Sequence, residues 1–224
     1  MTFGSTVDLI GCVAQPPELR GACLAFVLAG EEDVSFADGG QRQQAFYQRC
    51  LIERSHPQAH LVMKGQPMAV AGHIHQTRNS VNRAVRIEVM VEHVTLLTRH
   101  ATDLILDMGG GVRLRDGHQQ VLLFGRAGGE AGRTMVSGTP VLNASIASPH
   151  PHRPDPNWLD INYYGAHPNL TVKKGQSVVV SGRLWNRTKV VHAGGRVTFT
   201  SVDVHTMTVV PFRDRPSGGV TSTR

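Results

Sequence analysis

Hydrophobic and polar positions along this 224-residue chain alternate in short runs, and the i, i+3, i+4 spacing of an amphipathic helix is scarce. β-Branched residues crowd the runs, and clusters of Gly, Pro, Asn and Asp break them. The first half opens with STVDLIGCVAQPPELRGACLAFVLAG and the second with HQQVLLFGRAGGEAGRTMVSGTPVLNASIAS. Each is an apolar strand reaching a glycine (Gly11, Gly125), then a turn-rich segment, then a second alternating strand. AFYQRCLIE and NWLDINYYG follow, and NRAVRIEVMVEHVTLL and GRVTFTSVDVHTMTVV close the two halves. With one further strand each, the pattern predicts about five strands per half, the number of a small barrel, in an all-β protein.

That further strand is a repeat. LVMKGQPMAVAGHIHQTR (Leu61–Arg78) returns as TVKKGQSVVVSGRLWNR (Thr171–Arg187), with Lys64-Gly65-Gln66 and Gly72 each recurring 110 positions later. So long a period excludes a solenoid and indicates one small domain written twice. The expected division is a first barrel over 1–102, a Gly-containing linker over 103–117 around Gly109 to Arg113, a second barrel over 118–212, and a disordered tail over 213–224. SPHPHRPDPNW reads as a Pro- and His-rich loop between strands.

Side chains alternate faces along a strand. One face of the repeat holds Met68, Val70, Gly72 and Ile74, matched by Val178, Val180, Gly182 and Leu184; both sets are apolar and predict a core face. The opposite face carries Ala69, Ala71, His73, His75 and Thr77 in the first copy, and Val179, Ser181, Arg183, Trp185 and Arg187 in the second. A row of Arg, Trp, Arg on an outward surface offers cations for phosphates and a flat ring on which an unpaired base can stack.

The formal net charge of +6 points weakly the same way, toward a polyanionic partner. Cys12, Cys23 and Cys50 are odd in number, show no C-x-x-C spacing, and read as thiols of a reducing compartment. No apolar run of membrane-spanning length and no charged-then-apolar leader appears, so a soluble cytoplasmic protein is expected. The twelve histidines include GHIHQ, whose His73 and His75 share one side of a strand. Without cysteines or acids in register, adventitious metal binding is expected there rather than a dedicated site. The glycine runs lack the G-x-x-x-x-G-K-[ST] pattern, no paired carboxylates suggest a nuclease, and no nucleophile elbow is present. No enzyme and no cofactor is expected.

In their order, VDLIGCVAQPPELR, CLAFVLAGE, FYQRCLIE, MKGQPMAVAGHIHQTR and RIEVMVEHVTLL, then QVLLFGRAGGEAGR, PVLNASIA, WLDINYYG and VKKGQSVVVSGRLWNR with the final strand, resemble the OB-fold of bacterial single-stranded DNA-binding proteins. Two such folds in one chain, joined near GGGVR, resemble the Deinococcus–Thermus type. The resemblance covers Val7 to Val210. It implies two tandem OB-fold five-stranded barrels, a homodimer presenting four of them, a nucleoid-associated location, and replication, recombination or repair as the setting, with proteins of those processes as further partners. The family's aromatic at the start of the third strand is matched by Trp158 and by Tyr47 beside Phe46. Its second aromatic is matched by Tyr164, but Glu53 stands there in the first half. A third is expected in the hairpin after the repeat strand, where Asn79 and Lys189 fall and Trp185 stands nearby. The family usually ends in an acidic tip that recruits replication and repair enzymes. Here the sequence reads PSGGVTSTR, so a shortened form or a divergent paralogue without that recruiting function is expected.

The residues expected to carry DNA binding are Trp158, Tyr164, Arg183, Trp185, Arg187 and Lys189 in the second barrel, and Phe46, Tyr47, Arg49, His73, His75 and Arg78 in the first, with the second binding more strongly. Alternatives are an OB-fold adaptor making mainly protein contacts, as in primosomal relatives of the family, and an RNA-binding module. A thin aromatic set, 5% of the chain, favours the adaptor.

Overall fold

The computed structural model describes residues 4–35, 40–78, 85–98, 103–190 and 196–211, without the side chains of Ser35, Arg78, Lys189, Val190 and Arg196. The tail expected over 213–224 lies outside these residues. Strands dominate, and a three-residue 3-10 turn at Ala59–Leu61 interrupts them.

The first barrel is built from β1 (Ser5–Val13), β3 (Cys23–Ser35), β4 (Gln41–Glu53), β5 (Pro67–Arg78) and β6 (Val85–Leu96), with a short β2 (Glu18–Arg20) on β3. It runs β1-β5-β6-β4-β3 and closes where Cys12 pairs with Ala29 across β1 and β3. The second uses β9 (His118–Ala127), β11 (Thr139–His150), β12 (Arg153–Tyr164), β13 (Ser177–Val190) and β14 (Arg196–Val209), with β10 (Gly132–Val136) at its edge. It runs β9-β13-β14-β12-β11 and closes where Ala127 pairs with Ile146. In each, one neighbouring pair is parallel: β4 with β6 at Cys50↔Val89, and β12 with β14 at Ile161↔Val202. These are the two five-stranded OB-fold barrels expected from the alternation.

The apolar face of the repeat lies inside, as expected. Met68, Val70 and Ile74, and Val178, Val180 and Leu184, are buried with Leu9, Leu28, Ile52, Leu123, Ile146 and Ile161. The repeated text has local causes. Gly65 and Gly175 sit at φ +80° and +78°, a left-handed turn that favours glycine. Each donates its N–H to the end of the first strand of its barrel, at Val13 and Ala127. Gly72 and Gly182 each stand at a β-bulge. A Cβ there would meet the Met90 or the Asp203 carbonyl oxygen.

The barrels join edge to edge. β1 and β9 pair antiparallel, with Val7 opposite Val121. Val7 also faces Gly72 and Val121 faces Gly182, so the two valines are equivalent and a pseudo-two-fold axis passes between them. The segment read as a Gly-containing linker, 103–117, is folded. β7 (Leu104–Leu106) and β8 (Val112–Leu114) form a hairpin, and Leu114 pairs with Gly30 of β3. Arg113 bridges Glu31 at 2.7 Å and Asp107, while Val112 and Leu114 bury Cys12. Charge pairing and this small apolar cluster outweigh the freedom that three glycines give the backbone. Burial pushes the Cys12 thiol up to about 11, and Cys50 up as well, which leaves both unreactive.

Candidate nucleic-acid interface

Each barrel extends a hairpin across the other. The β13–β14 hairpin lies over β4, and the β5–β6 hairpin lies over β12. Two buried amides fix these crossings. Gln48 Nε2 donates to the Leu184 carbonyl at 3.1 Å, and Asn157 Nδ2 donates to the Ile74 carbonyl at 2.7 Å. Ile74 and Leu184 are the same position of the repeat, so the contact is made twice. Around it Asn186 reaches the Tyr47 carbonyl at 2.8 Å, and Gln76 exchanges hydrogen bonds with the Trp158 backbone at 2.7 and 3.2 Å.

Between the outer face of β4 and the two hairpins runs a cleft of about 820 Å³. Tyr47, Arg49, Arg86 and Trp185 line it, with Arg20, Asn186 and the threonines 77, 188, 198 and 200. Tyr47 is 41% exposed and its hydroxyl donates to Asp107 at 2.6 Å, so the linker hairpin orients the ring. Arg49 and Arg86 are exposed and have no ion-pair or hydrogen-bond partner among the described residues. Arg20 is held by Glu88 at 2.5 Å.

On the second barrel, Trp158 is 45% exposed and lies against Gly128, where a Cβ would collide with the indole. Tyr47 faces Ala29 and Trp158 faces Ala147 across the neighbouring strand, so the two rings occupy equivalent positions. Tyr164 is half-buried and accepts a hydrogen bond from Arg187 at 2.8 Å. Phe199, 52% exposed and paired with Arg187 across the hairpin, is an aromatic that the sequence reading missed. Its signal was the register of VTFTS against the repeat strand. Arg20 and Arg86 were missed too, because alternation gives the face of a residue and not which hairpin will cross it.

Four expected site residues are placed otherwise. Phe46 is buried, packed on Gly30 and Gly117, and fills the space their missing side chains leave. Arg183 is buried between Glu32 of the first barrel at 3.5 Å and Asp203 at 3.8 Å, so it ties the barrels together. His73 is buried with Nδ1 on Glu92 at 2.8 Å, and His75 is half-buried with Nδ1 on His150 at 3.3 Å. The face that was to be outward is outward of its own barrel, but the neighbouring barrel covers it. The side chains of Arg78 and Lys189, and Asn79, lie outside the described residues.

Burial, then the positive charge of Arg153, pushes His150 down to about 4 and lowers His75; burial and Arg183 lower His205. These rings are neutral in the folded chain and would take up protons below about pH 6.5 when unfolded. Their contribution to stability is therefore present at neutral pH and is lost as pH falls below about 6.5, for His150 down to about 4. From His150 alone the loss is on the order of 2–3 kcal/mol. Urea midpoints should fall between pH 7 and pH 4.5, and replacing His150 by Gln should flatten that fall.

The chain is 29% identical over 208 residues to the single-stranded DNA-binding protein of Deinococcus radiodurans, covering 80% of this chain. The match spans 66% of that protein's length, just under two thirds. The crystal structure of wild-type single-stranded DNA-binding protein from Thermus aquaticus superposes with a TM-score of 0.70 at 19% identity, over 98% of each chain. A deletion mutant of that protein gives 0.71 at 20% identity, over 96% of this chain and 97% of the other. No protein-family profile matches. The architecture is thus the tandem OB-fold of the Deinococcus–Thermus single-stranded DNA-binding proteins, and the resemblance read from the sequence holds in sequence and in fold. No helix among the described residues is long and apolar enough to cross a membrane.

Proposed function

We propose that this protein binds single-stranded DNA, without catalysis and with little preference among bases, in replication, recombination or repair. The observation that carries the reading is the cleft over β4. Two aromatic side chains, Tyr47 and Trp185, and two guanidinium groups without a partner among the described residues, Arg49 and Arg86, line one groove. Rings stack on any base, while guanidinium groups follow the phosphates, so the groove suits an unpaired strand. Trp158, with Tyr164, Arg187 and Phe199 farther along the second barrel, gives the strand a second set of contacts. The two barrels act as one unit, because Arg183, Gln48 and Asn157 tie them together. As in the family it resembles, the chain pairs with a second copy to present four barrels, and it works at the nucleoid in the cytoplasm.

The chain's tryptophans, Trp158 and Trp185, report on both faces. Titration with oligo-dT should quench their fluorescence, duplex DNA should not reverse the quenching, and added salt should weaken it. Absence of quenching and of binding at low salt would remove the stacking groove and turn the reading to an adaptor that contacts proteins. Equal competition by RNA would turn it to an RNA-binding module.

A further inference from the structure

A second cluster lies where the β11–β12 turn of the second barrel meets β5 and β6 of the first. His73 of β5, Glu92 of β6 and His152 of the β11–β12 turn each offer one ligand atom, and these atoms lie within 4.8 Å of one another. The alternation of β6 does not foretell Glu92. Ala71 pairs with His93 and Gly72 with Val91, so Glu92 is the extra residue of the bulge. A bulge re-aims the side chain it inserts. Here it sets the carboxylate beside the His73 ring, supplying the acid that His73 lacked in the linear pattern.

His152 comes from the other barrel. Its backbone N–H donates to His150 Nδ1 at 3.0 Å, which leaves His150 to carry its proton on Nε2 and share it with His75 Nδ1. His150 is thereby occupied at both nitrogens and holds the turn that carries His152. The His73 and His152 rings then stand with centroids 5.6 Å apart. His73 is 4% exposed, and its Nδ1 stands 2.8 Å from the Glu92 carboxylate, so an ion shared by the two sits on the Nδ1 side of the ring.

We propose that His73, Glu92 and His152 bind a divalent transition-metal ion of the zinc class. Two imidazoles and one carboxylate suit Zn²⁺, Co²⁺ or Ni²⁺, and solvent would fill the remaining position, since Glu92 and His152 are exposed. The ion cross-links the barrels. It also pins the turn before Arg153, whose guanidinium reaches the Gln76 carbonyl at 2.9 Å in the network that holds the Trp158 backbone.

The test uses the full chain, stripped of metal with a chelator and titrated with ZnCl₂ by calorimetry. The wild type should bind one equivalent with a defined affinity. His152→Ala and Glu92→Gln, both at exposed positions, should each weaken it by about tenfold or more, while His60→Ala, at an exposed histidine elsewhere, should leave it unchanged. Thermal unfolding should move upward with zinc in the wild type and not in His152→Ala. Unchanged affinity in His152→Ala, or several weak equivalents that fall equally with any histidine removed, would overturn the site and leave only adventitious binding.

Discussion

Replacing Gly182 by alanine is expected to destabilise the protein by about 3 kcal/mol or more, with the same result for Gly72→Ala. At both positions the added methyl would lie within van der Waals distance of a carbonyl, 2.2 Å from Asp203 O and 2.0 Å from Met90 O. Backbone cannot swing aside as a side-chain tip can. The bulge would have to flatten, and flattening shifts the register of every pair beyond it. In the second barrel that would move Arg183 away from Asp203 and loosen its hold on Glu32 of the first. The matched control is Gly175→Ala. No atom lies within 4 Å of its added Cβ, so only the strain of a positive φ remains. That strain is worth about 1–2 kcal/mol. Equilibrium urea unfolding of the three variants reads the difference. Equal losses at Gly175 and Gly182 would show that the close carbonyl does not set the cost.

Those glycines mark what could be read from the text. Alternation predicted the strands, and the KGQ repeat predicted two copies of one unit, because a strand's inward face must be apolar wherever it sits. The same rule put Val180 and Leu184 inside correctly. It failed on the other face. Arg183, His73 and His75 point away from their own barrel, yet the other barrel covers them, and no periodicity within one strand can announce a neighbour from the other half of the chain. Glu92 escaped for a related reason, since a bulge breaks the period that the reading depends on. Tyr47 and Trp158 were legible because their strand register survives in both copies. Gly109–Arg113 was read as a linker from its glycines, while the ion pairs of Arg113 that fold it are contacts over long sequence separation.

The same distinction separates cations that hold the barrels from cations that meet DNA, and the salt dependence of binding should divide them. Binding to a single strand loses about 0.7 in the slope of log K against log salt for each phosphate contact removed. Replacing both Arg49 and Arg86 by Gln should therefore make the slope shallower by about 1.4 and weaken binding most at low salt. Both side chains are exposed, so stability should change little. Arg183→Met should do the reverse. It strands Glu32 and Asp203 in a buried setting, where removing one partner of an ion pair costs about 3–5 kcal/mol, and it should leave the slope of the folded protein where it was. Aromatic truncation is read at fixed salt. Tyr47→Ala and Trp158→Ala should each weaken oligo-dT binding roughly 5- to 150-fold, the range of about 1–3 kcal/mol per stacked base. Their salt slopes should match that of the wild type, since no charge is removed. A slope that falls with Arg183→Met and not with the Arg49 and Arg86 pair would place the phosphate path along the buried row of β13, and the cleft over β4 would lose its role.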